Sequence, residues 1–243
     1  MRAPDAAGDV APATTNRFFA AMPVQDREYL RPLLERVELP IGETVLPAGG
    51  PCSSVLFVDQ GVLSAIARFD DGKRAEVATI GREGVVGLVA LLTGESEPFE
   101  TIVQVAGHGR RMPAAALAQR AEGSPELRAL LLRYAHAHMV QVAQTAACNA
   151  VHAVEQRAAR WLLMTQDRMG TGFELTQEYL ATMLGVRRPT VNAIAQTLQE
   201  SGAIRYTRGA VMICDRPMLE RFVCPCYGVV RAAHERAVPG CFA

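Results

Sequence analysis

The feature that most constrains this chain is the segment Leu175–Ile204, in which two short runs of helical periodicity are separated by a glycine. In the first run Leu180, Ala181 and Leu184 fall on one face, and Gly185 can adopt the left-handed backbone conformation of a tight turn. The second run has an apolar face made of Val191, Ile194, Ala195 and Leu198. The pattern predicts two helices joined by a tight turn and followed by a strand.

The expected helix ends agree with this interpretation. Thr176 can cap the first helix, and Glu178 lies in its positively polarised first turn. The second helix is predicted to begin near Arg187 or Arg188, because Pro189 is tolerated only in a first turn.

The outward face of the second predicted helix carries side chains that suit double-stranded DNA. Arginine can pair with guanine, asparagine or glutamine can read adenine, and threonine can bind phosphate. A hairpin predicted over 203–213 places two further arginines near a phosphate. The predicted DNA-binding residues are Thr176, Arg187, Arg188, Thr190, Asn192, Gln196, Arg205 and Arg208. A merely solvated helix face explains each residue singly, but it does not explain the arrangement.

The N-terminal half has the opposite character, with short apolar runs punctuated by glycine from Ile41 to Val105. Val55–Val58, Gly61–Ile66 and Ala75–Ile80 are typical of short strands, and Asp70–Gly72 is a turn signal. We therefore expect an antiparallel β-roll, preceded by a short helical lead-in in residues 16–38.

A long helix is predicted from Pro125 towards Cys148, with Ser124 as its N-cap. It is longer than a small domain needs for its own core, which favours a second copy as partner. The alternative is a helix that packs only on its own β-roll. The stripe expected to form a dimer interface consists of Leu132, Ala135, Met139, Val142 and Ala146.

These elements predict an α+β fold with four parts. Residues 17–123 form a β-roll sensor domain, and residues 124–149 form a dimerisation helix and hinge. Residues 150–228 form a winged helix-turn-helix domain, and residues 229–243 form a C-terminal tail.

Composition narrows the functional class. The 243 residues are 49% hydrophobic and 21% charged, which is ordinary for a globular protein. The net charge is zero, so attraction to DNA must come from a local patch. No apolar run of 18 residues and no signal peptide are evident, so we expect a cytoplasmic protein without membrane contact. The usual catalytic motifs are missing from the sequence, and we expect no enzyme.

The six cysteines are expected to be reduced thiols with no disulfide framework. Cys224 and Cys226 with Cys214 form the most suggestive group, and Cys241 is a candidate fourth zinc ligand. Free thiols remain the expectation, because the Cys-x-Cys spacing is tighter than that of usual zinc ligands. No metal or cofactor is predicted.

Residues 17–228 resemble the Crp/Fnr family of bacterial transcription regulators. The resemblance rests on the helix-turn-helix segment, on the long helix and on the glycine rhythm of a cyclic-nucleotide-binding-like β-roll: Gly42, Gly49, Gly61, Gly72, Gly81 and Gly87. It implies a homodimer on a two-fold symmetric operator, with a sensor that reorients the DNA-binding domains through a hinge near Asn149. RNA polymerase is an expected partner if the protein is an activator.

The resemblance also implies roles for particular residues. Arg188 matches the family arginine that reads guanine, and Thr190 matches a phosphate-contacting residue. Pro189 replaces a base-reading glutamate and Ala193 a second reading arginine, so a different operator is expected. A ligand- or partner-binding module with weakened DNA binding is the alternative function.

The sensor departs further from the family. A cyclic-nucleotide pocket needs a carboxylate for the ribose and an arginine for the phosphate, but the corresponding stretches are Gly87–Ala90 and Pro98–Thr101. Glu100 is expected to repel a phosphate. We therefore predict no binding of cyclic AMP or cyclic GMP. An iron-sulfur cluster is not expected, since the N-terminal part offers only Cys52. The histidines considered for haem, His108, His136 and His138, are expected to be surface or interface residues.

Overall fold

The computed structural model describes residues 14–207 and 209–242. An N-terminal antiparallel β-roll is followed by a long helix and by a winged helix-turn-helix domain, as the sequence predicts. Arg208, a predicted phosphate contact, lies outside the described residues. In these two ranges no helix is both long enough and apolar enough to cross a membrane.

The β-roll is one antiparallel sheet. Two short helices precede it, α1 (Arg17–Ala20) and α2 (Val24–Leu30), and two more belong to it, α3 (Leu88–Thr93) and α4 (Ala114–Glu122). The strands are β1 (Glu35–Leu39), β2 (Thr44–Leu46), β3 (Ser54–Arg68), β4 (Arg74–Ile80), β5 (Val85–Val86) and β6 (Glu100–Pro113). Their order in the sheet is β1-β6-β3-β4, and β2 also pairs with β6 and β5 with β3.

Two local expectations for this domain are wrong. The runs at 55–58 and 61–66 belong to one strand, β3, because Gly61 at φ 115° and Gly107 let it pass close to β6 while the register shifts. The lead-in at 16–38 is helical as expected only as far as Leu33, in α1, α2 and a single 3-10 turn at Arg31–Leu33. From Glu35 onwards that segment is strand β1.

The long helix α5 (Pro125–Val151) begins as predicted, with the Leu127 amide donating to Ser124 Oγ over 3.3 Å. It continues past Asn149, where the hinge is expected, and the break between α5 and the next helix falls at His152 and Ala153. One face packs on the β-roll through Leu127, Leu130, Leu131, Tyr134 and Ala137.

The predicted tail is part of the fold. Helix α10 (Cys226–Ala237) packs lengthwise against α5, and Ala233, Ala237, Val238 and Cys241 join the core beneath the β-roll. The boundary placed at residue 228 therefore cuts a helix. Its apolar side at 230, 233 and 237 has the spacing of a packed helix.

The C-terminal domain comprises α6 (Val154–Met169), β7 (Gly172–Glu174), α7 (Gln177–Leu184), α8 (Arg188–Glu200), β8 (Ile204–Thr207), β9 (Ala210–Ile213) and α9 (Arg216–Phe222). Its sheet has the order β7-β9-β8. Trp161, Leu162 and Leu175 share one apolar core with Val62 and Ile66 of the β-roll. The C-terminal domain is thus packed against the β-roll of the same chain.

Candidate nucleic-acid interface

Helix α7 has the predicted ends. The Tyr179 amide donates to Thr176 Oγ1 over 3.2 Å, which caps the N-terminus. Gly185 ends the helix in the left-handed conformation at φ 62°, and its amide donates to the Thr182 carbonyl. Leu180, Ala181 and Leu184 are buried as expected. The turn therefore fixes the angle at which the next helix leaves.

Helix α8 starts at Arg188 with Arg187 as its N-cap residue, and Pro189 falls in the first turn. Val191, Ala195 and Leu198 are buried, and Ile194 is half-buried. The opposite side is exposed along the whole helix. Because the buried face holds α8 against the rest of the domain, its polar side faces solvent in a fixed orientation.

Three predicted DNA-binding residues, Thr176, Arg188 and Asn192, meet in one groove of about 710 Å³. The groove runs between the start of α7, the side of α8 and the β8–β9 hairpin. Gln177 Nε2 donates to Asn192 Oδ1 over 3.2 Å across it. Amides at a helix N-terminus and a guanidinium side by side can hold a phosphate or meet a base edge.

The other predicted residues that the structure describes are exposed but lie outside this groove. Arg187 and Thr190 stand at the start of α8, and Gln196 Nε2 donates to Glu200 Oε1 over 2.8 Å. Arg205 is exposed on β8. The predicted set therefore divides between the groove and the outer surface around it.

The sequence did not single out Gln177, Gln199 and Tyr206, which also line the groove. The Tyr206 hydroxyl donates to the Leu175 carbonyl over 2.5 Å, and the Tyr206 amide donates to Gln199 Oε1 over 2.9 Å. Burial raises the pKa of Tyr206 to about 12, against the opposing charge of Arg188. Helical periodicity alone does not tell which flank of α8 meets the hairpin.

The exposed arginines in and around the groove are available to bind an anion. In the described part of the chain, Arg187, Arg188 and Arg205 form no ion pair. An unpaired surface guanidinium loses little when it binds an anion, so each can take a phosphate or a base acceptor. A chain of zero net charge needs a local positive patch to attract DNA, and these three arginines supply one on this face.

The β-roll contains a second candidate site, a cavity of about 220 Å³ against α5, which we term the sensor cavity. Most of its wall is apolar, and its polar side chains are Glu97, Thr101, Tyr134 and His138. Neither arginine nor lysine lines it in the described ranges. The Val89 amide donates to Glu97 Oε1 over 3.0 Å, which places a carboxylate at the start of α3, where an anion would bind.

The acidic residue that faces this cavity is therefore Glu97, and the role given to Glu100 is wrong. Glu100 is buried elsewhere, where it pairs with Arg68 at 2.5 Å and accepts a hydrogen bond from Thr44. The hydrogen bonds from Arg68 lower the pKa of Glu100, although burial opposes them. Burial raises the pKa of Glu97.

Of the three histidines considered for haem, only His138 lines the cavity. Burial lowers its pKa to about 4, with Glu83 opposing that shift. His136 is exposed on α5, and His108 is half-buried on β6. Their positions therefore do not gather them at one site.

The predicted dimer stripe follows one side of α5. Leu132 and Met139 are 53% and 60% exposed, Ala146 is exposed, and Ala135 and Val142 are half-buried. Met139 and Val142 also border the sensor cavity. The stripe is thus an apolar strip of surface that adjoins the cavity in the same chain.

The cysteines are grouped differently from the sequence expectation. Cys214 is exposed on its own, and Cys241 lies near Glu235, away from the others. Cys224 and Cys226 are instead joined by Cys148 and His152.

Two domain families match the chain. Residues 36–123 match the cyclic nucleotide-binding domain family, and residues 156–222 match the Crp-like helix-turn-helix domain family. Together the two matched segments span more than half of the chain.

Relatives agree with both assignments. The chain is 26% identical over 198 residues to a CRP-like cAMP-activated global transcriptional regulator of Mycobacterium tuberculosis, covering 77% of this chain and 88% of that protein. The solved structure of FixK2 from Bradyrhizobium japonicum has a TM-score of 0.68 at 16% identity and covers 79% of this chain and 98% of that one.

A second solved structure is that of CLP, described as a c-di-GMP responsive global regulator of Xanthomonas campestris. It has a TM-score of 0.62 at 18% identity and covers 79% of this chain and 100% of that one. At such identities the structures show a shared fold. The two domain matches and the mycobacterial relative show that the chain belongs to the Crp/Fnr family and is a Crp-like transcription regulator with a helix-turn-helix DNA-binding domain.

Proposed function

We propose that the protein acts as a homodimer that binds a two-fold symmetric operator and that its sensor does not respond to cyclic AMP or cyclic GMP. The observation that carries the DNA-binding part is the groove in which Thr176, Arg188 and Asn192 meet beside unpaired arginines. Arg188 is the residue we expect to read a base, with Thr190 and Arg205 on phosphates.

The exposed stripe on α5 supports the homodimer. Leu132 and Met139 present apolar surface to water in the single chain, and a second copy of α5 would cover it. Two copies related by a two-fold axis would present two α8 helices to successive major grooves. Because the net charge of the chain is zero, we expect the affinity for DNA to depend on the presence of two α8 helices in the dimer and on specific contacts.

The residues that line the sensor cavity support the proposal that the sensor does not respond to cyclic nucleotides. A cyclic nucleotide carries a phosphate that needs a cation, and the wall offers Glu97 instead of an arginine. An anion placed beside this carboxylate would be repelled in an apolar surrounding. A ligand that suits the cavity is small and largely apolar.

DNA binding is tested by fluorescence anisotropy with fragments from the region upstream of the protein's own gene. We expect saturable binding that weakens steeply with salt, and a large loss in Arg188→Ala. The matched control is Arg36→Ala, an exposed arginine on β1, which should bind as the wild type does. Absence of salt-sensitive binding at low salt would favour the alternative, a ligand- or partner-binding module with weakened DNA binding.

The sensor proposal is tested separately by calorimetry with cyclic AMP and cyclic GMP on the full chain. We expect no measurable heat of binding at micromolar protein. Micromolar affinity for either nucleotide would contradict this part and leave the DNA-binding part intact.

A further inference from the structure

Four side chains of metal-binding type converge where α5 ends and α10 begins. Cys148 lies in the last turn of α5 and His152 is its C-cap, while Cys224 precedes α10 and Cys226 is its first residue. Their three sulfur atoms and one imidazole nitrogen lie within 4.8 Å of one another. Each cysteine is at most 2% exposed, so the sulfurs face one another in a closed space.

The separations within this cluster suit a tetrahedral ion. Cys148 Sγ lies 3.5 Å from Cys224 Sγ, and Cys226 Sγ lies 3.4 Å from His152 Nδ1. With Zn–S near 2.3 Å and Zn–N near 2.0 Å, a tetrahedron has sulfur–sulfur edges of about 3.8 Å and sulfur–nitrogen edges of about 3.6 Å. These two separations are slightly shorter than such edges, and the other pairs of ligand atoms are at most 4.8 Å apart, so movements of about 1 Å or less per pair would bring the four atoms around an ion.

The buried positive charge of Arg160 lies beside the cluster and would be stabilised by a nearby negative charge. Arg160 is 7% exposed, and both of its terminal nitrogens donate to Thr145 Oγ1 over 3.3 Å. Its Nε has no hydrogen-bond partner, and no described carboxylate forms an ion pair with it. Arg160 interacts electrostatically with Cys148, and with Glu76 without a direct ion pair. Three thiolates and a neutral imidazole around Zn²⁺ carry one net negative charge, which would balance this arginine.

A hydrogen bond from outside the cluster supports one of the sulfurs. Gln144 Nε2 donates to Cys226 Sγ over 3.0 Å. Gln144, Cys148 and His152 follow one another at four-residue intervals, so they share one face of α5. Donors of this kind orient ligating groups and stabilise negative sulfur at metal sites.

We propose that Cys148, His152, Cys224 and Cys226 bind one zinc ion in tetrahedral coordination. The set is complete with protein ligands, as in structural zinc sites, and leaves no open position for catalysis. The ion would tie the end of α5 to the start of α10, next to the break at His152 and Ala153 from which α6 begins. The short Cys-x-Cys spacing is accommodated because the other two ligands come from α5.

The first test uses the full-length protein, purified under reducing conditions. Its zinc content is measured, and the metal-depleted protein is then titrated with Co²⁺ as a spectroscopic probe. We expect one equivalent to produce the thiolate charge-transfer and tetrahedral d–d bands, and Zn²⁺ to abolish them. A folded wild-type protein that gives no such bands would overturn the proposal without any variant.

Variants locate the site. Cys148→Ser and Cys226→Ser should each lower the affinity for Co²⁺ by at least about 100-fold. Cys214→Ser, which changes an exposed cysteine outside the cluster, should bind as the wild type does. Wild-type affinity in Cys226→Ser, or an equal loss in Cys214→Ser, would contradict the assignment.

Two other outcomes would also overturn it. One is a Cys148–Cys224 disulfide in metal-free protein purified without reductant, seen as a linked peptide, together with no zinc uptake after reduction. The other is iron and sulfide in the purified protein in place of zinc. In both cases the four residues would serve a different chemistry from the one proposed.

Discussion

Arg168 Nη2 lies 2.6 Å from Glu83 Oε1, and both side chains are buried between α6 and the loop that joins β4 to β5. Arg168 also donates to Thr79 Oγ1 over 3.0 Å. Burial alone would raise the pKa of Glu83, but the charge and hydrogen bonds of Arg168 hold it below its usual value. The pair therefore joins the DNA-binding domain to the β-roll with charge-assisted bonds.

Arg168→Ala should lower the free energy of unfolding by about 3–5 kcal/mol, because it leaves the Glu83 carboxylate buried without a partner. Urea unfolding of the full chain measures this. The matched control is Arg36→Ala, which breaks an exposed pair with Glu38 and should cost less than about 1 kcal/mol. Similar losses in the free energy of unfolding of the two variants would show that burial does not make breaking the Arg168–Glu83 pair more costly.

Arg188→Ala should reduce discrimination at one base pair of each half-site by about 1–3 kcal/mol, since it removes a base contact. Competition binding with operator variants at each position measures the loss. Arg205→Ala is the comparison, because loss of a phosphate contact should weaken binding equally on all sequences and lower the salt slope by about 1. Uniform weakening in Arg188→Ala would make Arg188 a phosphate contact as well.

Leu132→Glu and Met139→Glu should each convert the proposed dimer to a monomer, because a charge would have to be buried against the partner's α5. Sedimentation velocity at micromolar concentration measures the change. Val24→Glu places the same charge on α2, at a residue 57% exposed, and should leave the dimer intact. A monomeric wild-type protein would contradict the proposed dimer directly.

The contribution of His234 to stability should fall as the pH drops from 6.5 towards 4. Burial lowers the pKa of His234 to about 4, with Glu83 opposing that shift, while the unfolded chain keeps a value near 6.5. In that window the unfolded state binds a proton that the folded state does not, so this contribution to stability is present above pH 6.5 and lost as the pH falls through 4. At most about 3 kcal/mol is lost in this way.

Urea unfolding of His234→Gln at several pH values checks this expectation. Its stability should depend less on pH in this window than that of the wild type. His136→Gln, which changes an exposed histidine on α5, should keep the wild-type dependence. The same pH dependence in His234→Gln as in the wild type would mean that His234 does not contribute to it.

Local features were predictable from the sequence because neighbouring residues determine them. The caps at Ser124 and Thr176, the left-handed Gly185 and the inward face of α8 each depend on groups within a few positions along the chain. The wrong boundaries at residues 35 and 228 depend on distant partners. Residues 35–38 are strand because β6 pairs with them, and residues 229–237 are helix packed on α5.

The sequence by itself therefore determined the two domains, the long helix between them and the polar face of the helix-turn-helix. Tertiary structure alone decided which flank of α8 meets the hairpin, that Glu97 faces the sensor cavity and that Cys148 lies beside Cys224. Arg168 and Glu83 likewise meet across 85 positions. The physical reason is that periodicity and capping act over a few residues, whereas these contacts exist only once the chain has packed its two cores together.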